Sequence, residues 1–219
     1  MPVDIKICGL KTPEAVAAAL GAGASHVGFI FFPKSPRNVS PADAGGLRAA
    51  ATGRAQAVAV TVDAQDALLD EIFAAMRPDA FQLHGAESPE RVAAVKARYR
   101  RPVYKAFAVR EAADLAAIGP YAGVADRFLF DAKPPRRAPL PGGNGVAFDW
   151  SVLSGLPAAT EYFLSGGLNA GNVGEALRIA RPPALDVSSG VESAPGVKDA
   201  ARIAAFFRAV AAAGAPSSA

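Results

Sequence analysis

The chain has 219 residues, with 23 lysines and arginines against 20 aspartates and glutamates, so its net charge is only +3. This small excess gives no support for a nucleic-acid-binding protein, and a single cysteine excludes both an intramolecular disulfide framework and a zinc site built on cysteines. Hydrophobic residues make up 51% of the chain and charged residues 20%, which is typical of a globular protein.

No targeting or membrane signal is visible in the sequence. Asp4 and Lys6 carry charges where a signal peptide needs an apolar core. The long charge-free stretch between residues 15 and 33 is interrupted by glycines and by His26, whereas a membrane span needs unbroken apolar character. We therefore expect a cytoplasmic protein that does not associate with membranes.

Short β-rich runs recur along the chain, and most are followed by an alanine-rich helical pattern. Successive runs start between 22 residues (162 to 184) and 35 residues (127 to 162) apart, roughly the length of a βαβ unit. They are continuous apolar runs rather than alternating ones, which favours parallel strands buried on both faces. The eight predicted strands are Val3–Cys8, His26–Phe31, Gln56–Val62, Ala80–Leu83, Val103–Phe107, Arg127–Asp131, Tyr162–Ser165 and Ala184–Val187.

Several predicted helices carry recognisable start and stop signals. A capping Ser or Thr followed by proline, which suits the first helical position, marks three helix starts. Gly21 and Gly23 are expected to end the first helix through a left-handed cap. The predicted starts are Thr12-Pro13, Ser40-Pro41 and Ser88-Pro89, with Asn169 opening the seventh helix.

Eight strands alternating with helices are compatible with an open doubly wound sheet or a closed (β/α)₈ barrel. The strand count and even spacing favour the α/β class with a single-domain (β/α)₈ TIM barrel over residues 1–212. Residues 213–219 are predicted to be a flexible tail. The connection 132–147 is rich in proline, glycine and arginine, so we expect it to be functional or disordered.

Three reactive side chains end predicted strands. In a barrel, Cys8, Asp131 and Asp186 would all reach the mouth at the C-terminal ends of the strands, where active sites lie. Cys8 could be a buried core thiol or, as thiolate, a base or nucleophile. Asp131 could cap a loop or pair with Lys133 or Arg136, or it could act as a general acid.

Two loops have the composition of phosphate sites. Glycines let backbone N–H groups approach an anion, and a short helix after the eighth strand would direct its positive end to it. Barrels place phosphate sites after strands seven and eight, so a phosphorylated small molecule is the expected ligand. The predicted phosphate-binding residues are Gly166 and Gly167 after strand seven, and Ser188, Ser189 and Gly190 after strand eight.

Two further residues lie in loops on the same predicted face. Arg37, in Ser35-Pro36-Arg37, could be a surface arginine or could hold a substrate carboxylate by two hydrogen bonds. His84 could be a satisfied polar residue at a strand end or a substrate contact. His26 lies at the opposite end of the barrel and is not a candidate, so no histidine-rich metal site can be assembled.

Seven ordered motifs between Lys6 and Glu192 resemble the phosphoribosylanthranilate isomerase family of tryptophan biosynthesis. The glycine-rich Gly142-Gly143-Asn144-Gly145 segment is also similar, with Asn144 where Thr or Ser is expected. The motifs are Lys6-Ile7-Cys8-Gly9, Gly28-Phe29-Ile30-Phe31 with Ser35-Pro36-Arg37, Gln82-Leu83-His84-Gly85, Leu129-Phe130-Asp131, Phe148-Asp149-Trp150, Ser165-Gly166-Gly167-Leu168 and Asp186-Val187-Ser188-Ser189-Gly190-Val191-Glu192.

This resemblance implies a cofactor-free Amadori rearrangement of an aminoaldose to an aminoketose. In such enzymes the acid matching Asp131 protonates the furanose oxygen, and the thiolate matching Cys8 then removes the proton from C2. By the same resemblance Arg37 binds the anthranilate carboxylate, Asp186 contacts the substrate amine or ribose, and the glycine loops hold the phosphate.

Two alternatives remain open. The related sugar-phosphate isomerase of histidine biosynthesis shares the phosphate loops, but it uses an acid where this chain has Cys8 and has a stronger half-barrel repeat. A non-catalytic barrel that binds phosphorylated ligands would need neither Cys8 nor Asp131. The oligomeric state, monomer or homodimer, is not fixed by the sequence.

Overall fold

Eight parallel strands close into one barrel in the computed structural model, which describes residues 3–133 and 147–214. The first strand pairs with both the second and the last, so the predicted (β/α)₈ barrel is confirmed and the open sheet is wrong. The strands are β1 Asp4–Cys8, β2 His26–Phe31, β3 Gln56–Thr61, β4 Ala80–Leu83, β5 Val103–Val109, β6 Arg127–Ala132, β7 Tyr162–Leu164 and β8 Ala184–Val187.

The strands are buried on both faces, as their continuous apolar runs predicted. Along β3, Ala57 and Ala59 pack in the outer cluster that includes the helices. Val58 and Val60 belong instead to a separate cluster inside the barrel, together with Cys8. Side chains alternate across a strand, so neighbouring residues serve two different cores.

In the part of the chain that the structure describes, six α-helices surround the barrel. The side chains of Thr12, Ser40 and Ser88 each accept a hydrogen bond from a backbone N–H of the first turn, which confirms the three predicted caps. Gly23, at φ 97°, forms the left-handed cap of the first helix. The helices are α1 Pro13–Ala22, α2 Pro41–Ala51, α3 Asp66–Met76, α4 Pro89–Tyr99, α5 Val173–Ala180 and α6 Ala200–Gly214.

Two of the predicted helix boundaries are wrong. Gly21 lies within α1 rather than at its end. The helix α5 begins at Val173 with Asn172 at its N-cap position, whereas the Asn169 side chain accepts a hydrogen bond from the Gly171 N–H in the preceding turn. Asn169 has the residue type of a cap, but it closes a local turn before the helix starts.

The connections after β5, β6 and β8 depart from regular α-helices. The 3-10 helices Ala112–Tyr121 and Trp150–Gly155 follow β5 and β6. After β8 the chain forms the expected short helix, Ser189–Val191, and then an unpredicted hairpin of β9 Glu192–Ala194 with β10 Val197–Lys198. This hairpin brings additional charged side chains to the mouth of the barrel.

Some predictions concern segments outside the described ranges. Residues 134–146, which include the glycine-rich segment 142–145, and residues 215–219 of the predicted tail belong to them. Ala213 and Gly214, where that tail was predicted to begin, are the last residues of α6. Among the described helices, none combines the length and apolarity that crossing a membrane requires.

Candidate active site

A cleft with about 690 Å³ of empty space, including its opening to solvent, lies at the C-terminal ends of the strands. Nine of the ten predicted site residues line it, although they come from β1, β6, β8 and the loops after β2, β4, β7 and β8. They are Cys8, Arg37, His84, Asp131, Gly166, Gly167, Asp186, Ser188 and Ser189. The exception is Gly190, which follows the cleft-lining Ser189 in the chain.

Cys8 is the last residue of β1 and is 4% exposed. It is paired in register with Gly28 on β2, where a Cβ atom would lie 3.0 Å from the Cys8 Sγ atom and 3.1 Å from Lys6 Cε. Glycine at this position therefore makes room for the thiol. Burial raises the pKa of Cys8, and the Lys6 ammonium opposes this rise through its charge and a hydrogen bond.

A buried cation that the sequence analysis did not select lies below the thiol. Lys6 is fully buried, and its Nζ atom donates to Asp186 Oδ1 and to Gln82 Oε1, each at 2.8 Å. Burial, the largest single influence, lowers the pKa of Lys6, but the charges and hydrogen bonds of Asp186 and Cys8 together raise it above its ordinary value. The remaining Asp186 oxygen accepts a hydrogen bond from Ser165 Oγ at 3.2 Å. Lys6 and Cys8 are two residues apart on one strand, so both side chains face the inside of the barrel. This spacing is the signal from which the sequence could have identified Lys6 as a site residue.

Asp131 is buried at the end of β6 and does not pair with Lys133, which bonds to Asp114 instead. One Asp131 oxygen accepts from the backbone N–H of Ala132 at 2.9 Å. The other lies 3.5 Å from His84 Nε2. Its carboxyl group is therefore directed into the cleft, which is the arrangement expected of a general acid.

Arg37 is buried, so the interpretation of a surface arginine is wrong. Its Nε and Nη2 atoms donate to the two carboxylate oxygens of Glu192 at 2.7 and 2.8 Å. The Lys198 ammonium, also buried, donates to Glu192 Oε1 at 2.6 Å. One carboxylate between two cations leaves a net charge of about +1, which suits an anionic group of a ligand. Sequence reasoning missed Glu192 and Lys198 because both reach the site through the unpredicted hairpin.

The two glycine loops meet at the cleft. Gly166 and Gly167 have φ angles of 87° and 64°, a region that favours glycine. Within the described ranges, the backbone N–H groups of Gly166, Gly167 and Ser189 have no hydrogen-bond partner. At Gly190 a Cβ atom would collide with the carbonyl group of Leu168, so this glycine permits close packing of the two loops. Unpartnered amides at the mouth can bind an anion.

His26 lies at the N-terminal end of β2, inside the barrel and remote from the mouth. Its ring packs edge-on against Phe163 with centroids 5.2 Å apart. Burial lowers the pKa of His26 to about 4. In residues 3–133 and 147–214, no group of three or more His, Cys, Asp or Glu side chains is placed to hold a metal ion.

Comparisons with known proteins agree with one another. A protein from Mesorhizobium japonicum named N-(5'-phosphoribosyl)anthranilate isomerase is 70% identical over 213 residues, covering 97% of each chain. The crystal structure of phosphoribosyl anthranilate isomerase from Thermotoga maritima superposes with a TM-score of 0.86 at 34% identity, covering 96% of this chain and 99% of that one. A phosphoribosyl anthranilate isomerase in complex with reduced 1-(o-carboxyphenylamino)-1-deoxyribulose 5-phosphate has a TM-score of 0.83 at 32% identity, with coverage of 96% and 99%.

The family model for N-(5'-phosphoribosyl)anthranilate isomerases matches residues 5–209, which include every strand that contributes to the cleft except the first residue of β1. With this match and the relatives above, the chain belongs to the N-(5'-phosphoribosyl)anthranilate isomerase family.

Proposed function

We propose that the cleft converts N-(5′-phosphoribosyl)anthranilate into 1-(2-carboxyphenylamino)-1-deoxyribulose 5-phosphate, with Asp131 as general acid and Cys8 as general base. The observation that carries this assignment is that both side chains line one cleft, together with a buried arginine and two amide-bearing loops. The substrate needs the same set of groups: a proton donor, a proton acceptor, and sites for a carboxylate and a phosphate.

The reaction begins at Asp131. Its carboxyl group protonates the furanose ring oxygen, the bond from that oxygen to C1 breaks, and the nitrogen lone pair forms an iminium ion. The backbone N–H of Ala132 fixes one oxygen of the carboxylate that remains. General acid catalysis of this kind contributes about 10²–10⁴-fold to the rate.

The Cys8 thiolate then removes the proton from C2, and the electron pair moves toward the iminium nitrogen to give an enolamine. Tautomerisation adds a proton at C1 and removes the proton of the C2 hydroxyl, which yields the ketone. Lys6 stabilises the thiolate form by its positive charge. The iminium nitrogen is the electron sink, so the mechanism requires no metal or organic cofactor.

Binding groups hold the two ends of the substrate. Arg37 is proposed to bind the anthranilate carboxylate. The phosphate is proposed to bind to the two glycine loops, through the backbone amides of Gly166, Gly167 and Ser189 together with Ser188 and Gly190. His84 and Asp186 remain proposed substrate contacts; both Asp186 oxygens already accept hydrogen bonds, so a substrate donor must use their remaining lone pairs. We also propose that the enzyme works in the cytoplasm, as a monomer or homodimer.

A fluorescence assay tests this proposal. N-(5′-phosphoribosyl)anthranilate is generated in place, the protein is added, and the loss of anthranilate-type fluorescence is followed. We expect rapid turnover, a loss of orders of magnitude in kcat for Cys8→Ser and for Asp131→Asn, and mainly a higher KM for Arg37→Ala.

Near-normal turnover in either of the first two variants would remove that residue from the mechanism. An Arg37→Ala variant with unchanged KM would refute the carboxylate site. If the folded wild-type protein gives no turnover, the aminoaldose substrate of histidine biosynthesis is the next to assay, and binding without turnover would favour a binding protein.

A further inference from the structure

A row of hydrogen-bonded side chains crosses the mouth of the barrel from β8 to β6. It runs from Asp186 to Lys6 at 2.8 Å, from Lys6 to Gln82 at 2.8 Å and from Gln82 Nε2 to His84 Nδ1 at 2.9 Å. The His84 Nε2 atom then lies 3.5 Å from Asp131 Oδ2. Its first three members lie at most 5% exposed, so water does not compete for these bonds. The row connects the cation beside the proposed base with the proposed acid.

The chemistry of Lys6 fixes the direction of each bond between it and His84. An ammonium group can only donate, so Gln82 must present its oxygen to Lys6. The Gln82 amide nitrogen therefore faces His84, and because it too can only donate, His84 Nδ1 must accept. An imidazole whose Nδ1 accepts carries its proton on Nε2. The sequence of donors thus points from Lys6 toward Asp131.

We propose that Lys6 and Gln82 are positioning residues that set the tautomer of His84, so that its Nε2–H donates to Asp131. The catalytic half of this inference rests on the proposed role of Asp131 as the general acid. When Asp131 gives its proton to the substrate, a carboxylate forms with Ala132 N–H at one oxygen and His84 N–H at the other. A donor aimed at a developing charge lowers the barrier, and contacts of this kind commonly shorten once the charge appears.

The opposite tautomer would have the opposite effect. With its proton on Nδ1, His84 would present a lone pair to Asp131. The carboxyl proton of Asp131 would then be held by the imidazole instead of being available to the ring oxygen. The orientation of one buried amide at Gln82 therefore decides whether His84 helps or hinders the acid.

Nitrogen NMR of the ¹⁵N-histidine-labelled protein at pH 8 tests this inference, because the chain contains only two histidines. The ring nitrogens of His84 are assigned by comparison with His84→Gln. We expect the Nε2–H tautomer for His84 in the wild type. In Gln82→Glu the carboxylate still accepts from Lys6 but cannot donate to His84, so the ring proton should move to Nδ1. Gln82→Met, which offers neither group, should give a mixture of tautomers.

Turnover is measured on the same variants. We expect kcat to fall about tenfold to a hundredfold in Gln82→Glu with KM within about twofold. The hydrogen bond that this variant loses is the one from His84 to the charged Asp131 carboxylate, and that carboxylate forms only when Asp131 transfers its proton to the bound substrate. Gln56→Glu is the matched control: Gln56 lies at the other end of the barrel on β3 and is exposed. It should leave the His84 tautomer and kcat unchanged.

Three results would overturn the inference. A wild-type His84 with its proton on Nδ1 refutes the direction of the row, and a Gln82→Glu protein whose proton stays on Nε2 refutes the control by Gln82. A tautomer change without loss of kcat refutes the assistance to Asp131. The NMR readout does not depend on turnover, so it separates a failure of this inference from a failure of the proposed function.

Discussion

The Glu192→Gln variant tests whether the hairpin after β8 holds the arginine proposed to bind the substrate carboxylate. Glu192 Oε1 accepts from Arg37 Nε and Lys198 Nζ, and Oε2 accepts from Arg37 Nη2 and the Gly196 N–H. Each oxygen thus has two donors. Glutamine keeps one oxygen and replaces the other by an NH₂ group. In either amide orientation, this NH₂ group therefore faces two other hydrogen-bond donors where a carboxylate oxygen had accepted from both.

The size of the effect follows from the burial of this cluster. The Arg37 and Glu192 side chains are 6% and 4% exposed, and removing one partner of a buried ion pair costs about 3–5 kcal/mol. Glutamine retains one acceptor, so we expect the free energy of unfolding to fall by about 3 kcal/mol, the lower end of that range. A misaligned Arg37 should lose a charge-assisted hydrogen bond to the substrate worth about 1.5–3 kcal/mol, which corresponds to about a tenfold or larger rise in KM.

Urea unfolding and steady-state kinetics measure the two effects separately. Because the carboxylate that Arg37 is proposed to bind is remote from the reacting atoms, kcat should change much less than KM. Glu161→Gln is the matched control, since Glu161 pairs with Arg127 at 3.1 Å but is 57% exposed; it should cost less than about 1 kcal/mol and leave KM unchanged. A folded Glu192→Gln protein whose KM stays within about twofold of the wild type would show that Glu192 does not orient Arg37 for the binding role proposed for it.

Three further predictions follow from the contacts around the thiol and inside the barrel. Gly28→Ala places a Cβ atom 3.0 Å from Cys8 Sγ, so kcat should fall by about tenfold or more, whereas Gly46→Ala, with open space around its Cβ position, should not change it. Lys6→Met removes the cation that lowers the pKa of Cys8, so the acid limb of the kcat/KM profile should move to higher pH; an unchanged limb would refute this role. Burial holds the pKa of His26 at about 4, against 6.5 for an exposed histidine, so the stability it contributes is complete above pH 6.5 and is lost as the pH falls through 4. Urea unfolding should show a loss of about 2 kcal/mol between pH 8 and pH 5 that His26→Gln abolishes.

The strands, and the site residues at their C-terminal ends, could be predicted because each depends on local sequence. A run of apolar residues identifies a buried parallel strand, and the residue that ends it must face the mouth of a closed barrel, which located Cys8 and Asp131. The connections after β5 and β6 were harder to predict, because they form 3-10 helices. In the first of them, Gly119 and Pro120 oppose a regular α-helix.

The partners of the site residues could not be predicted, because they depend on contacts between distant parts of the chain. Lys6 reaches Asp186 across 180 residues, and Arg37 reaches Glu192 across 155. The pairing of β1 with β8 places Lys6 directly beside Asp186, and this register follows from closure of the barrel and not from any local pattern. A lysine within an apolar strand shows only that a partner must exist.

The distribution of charge in the cleft explains why these hidden carboxylates are needed. The proposed substrate carries a carboxylate and a phosphate, so its site requires cations, yet an unpaired buried cation is costly. Glu192 forms ion pairs with both Arg37 and Lys198, so neither buried cation is unpaired. Two cations and one anion still leave about one positive charge for the substrate. Asp186 pairs with Lys6 at 2.8 Å and keeps this buried ammonium beside Cys8, where its charge lowers the pKa of the thiol and so favours the thiolate proposed to remove the C2 proton. The two carboxylates thus have different consequences: Glu192 leaves a cation for substrate binding, and Asp186 holds the cation that favours the thiolate.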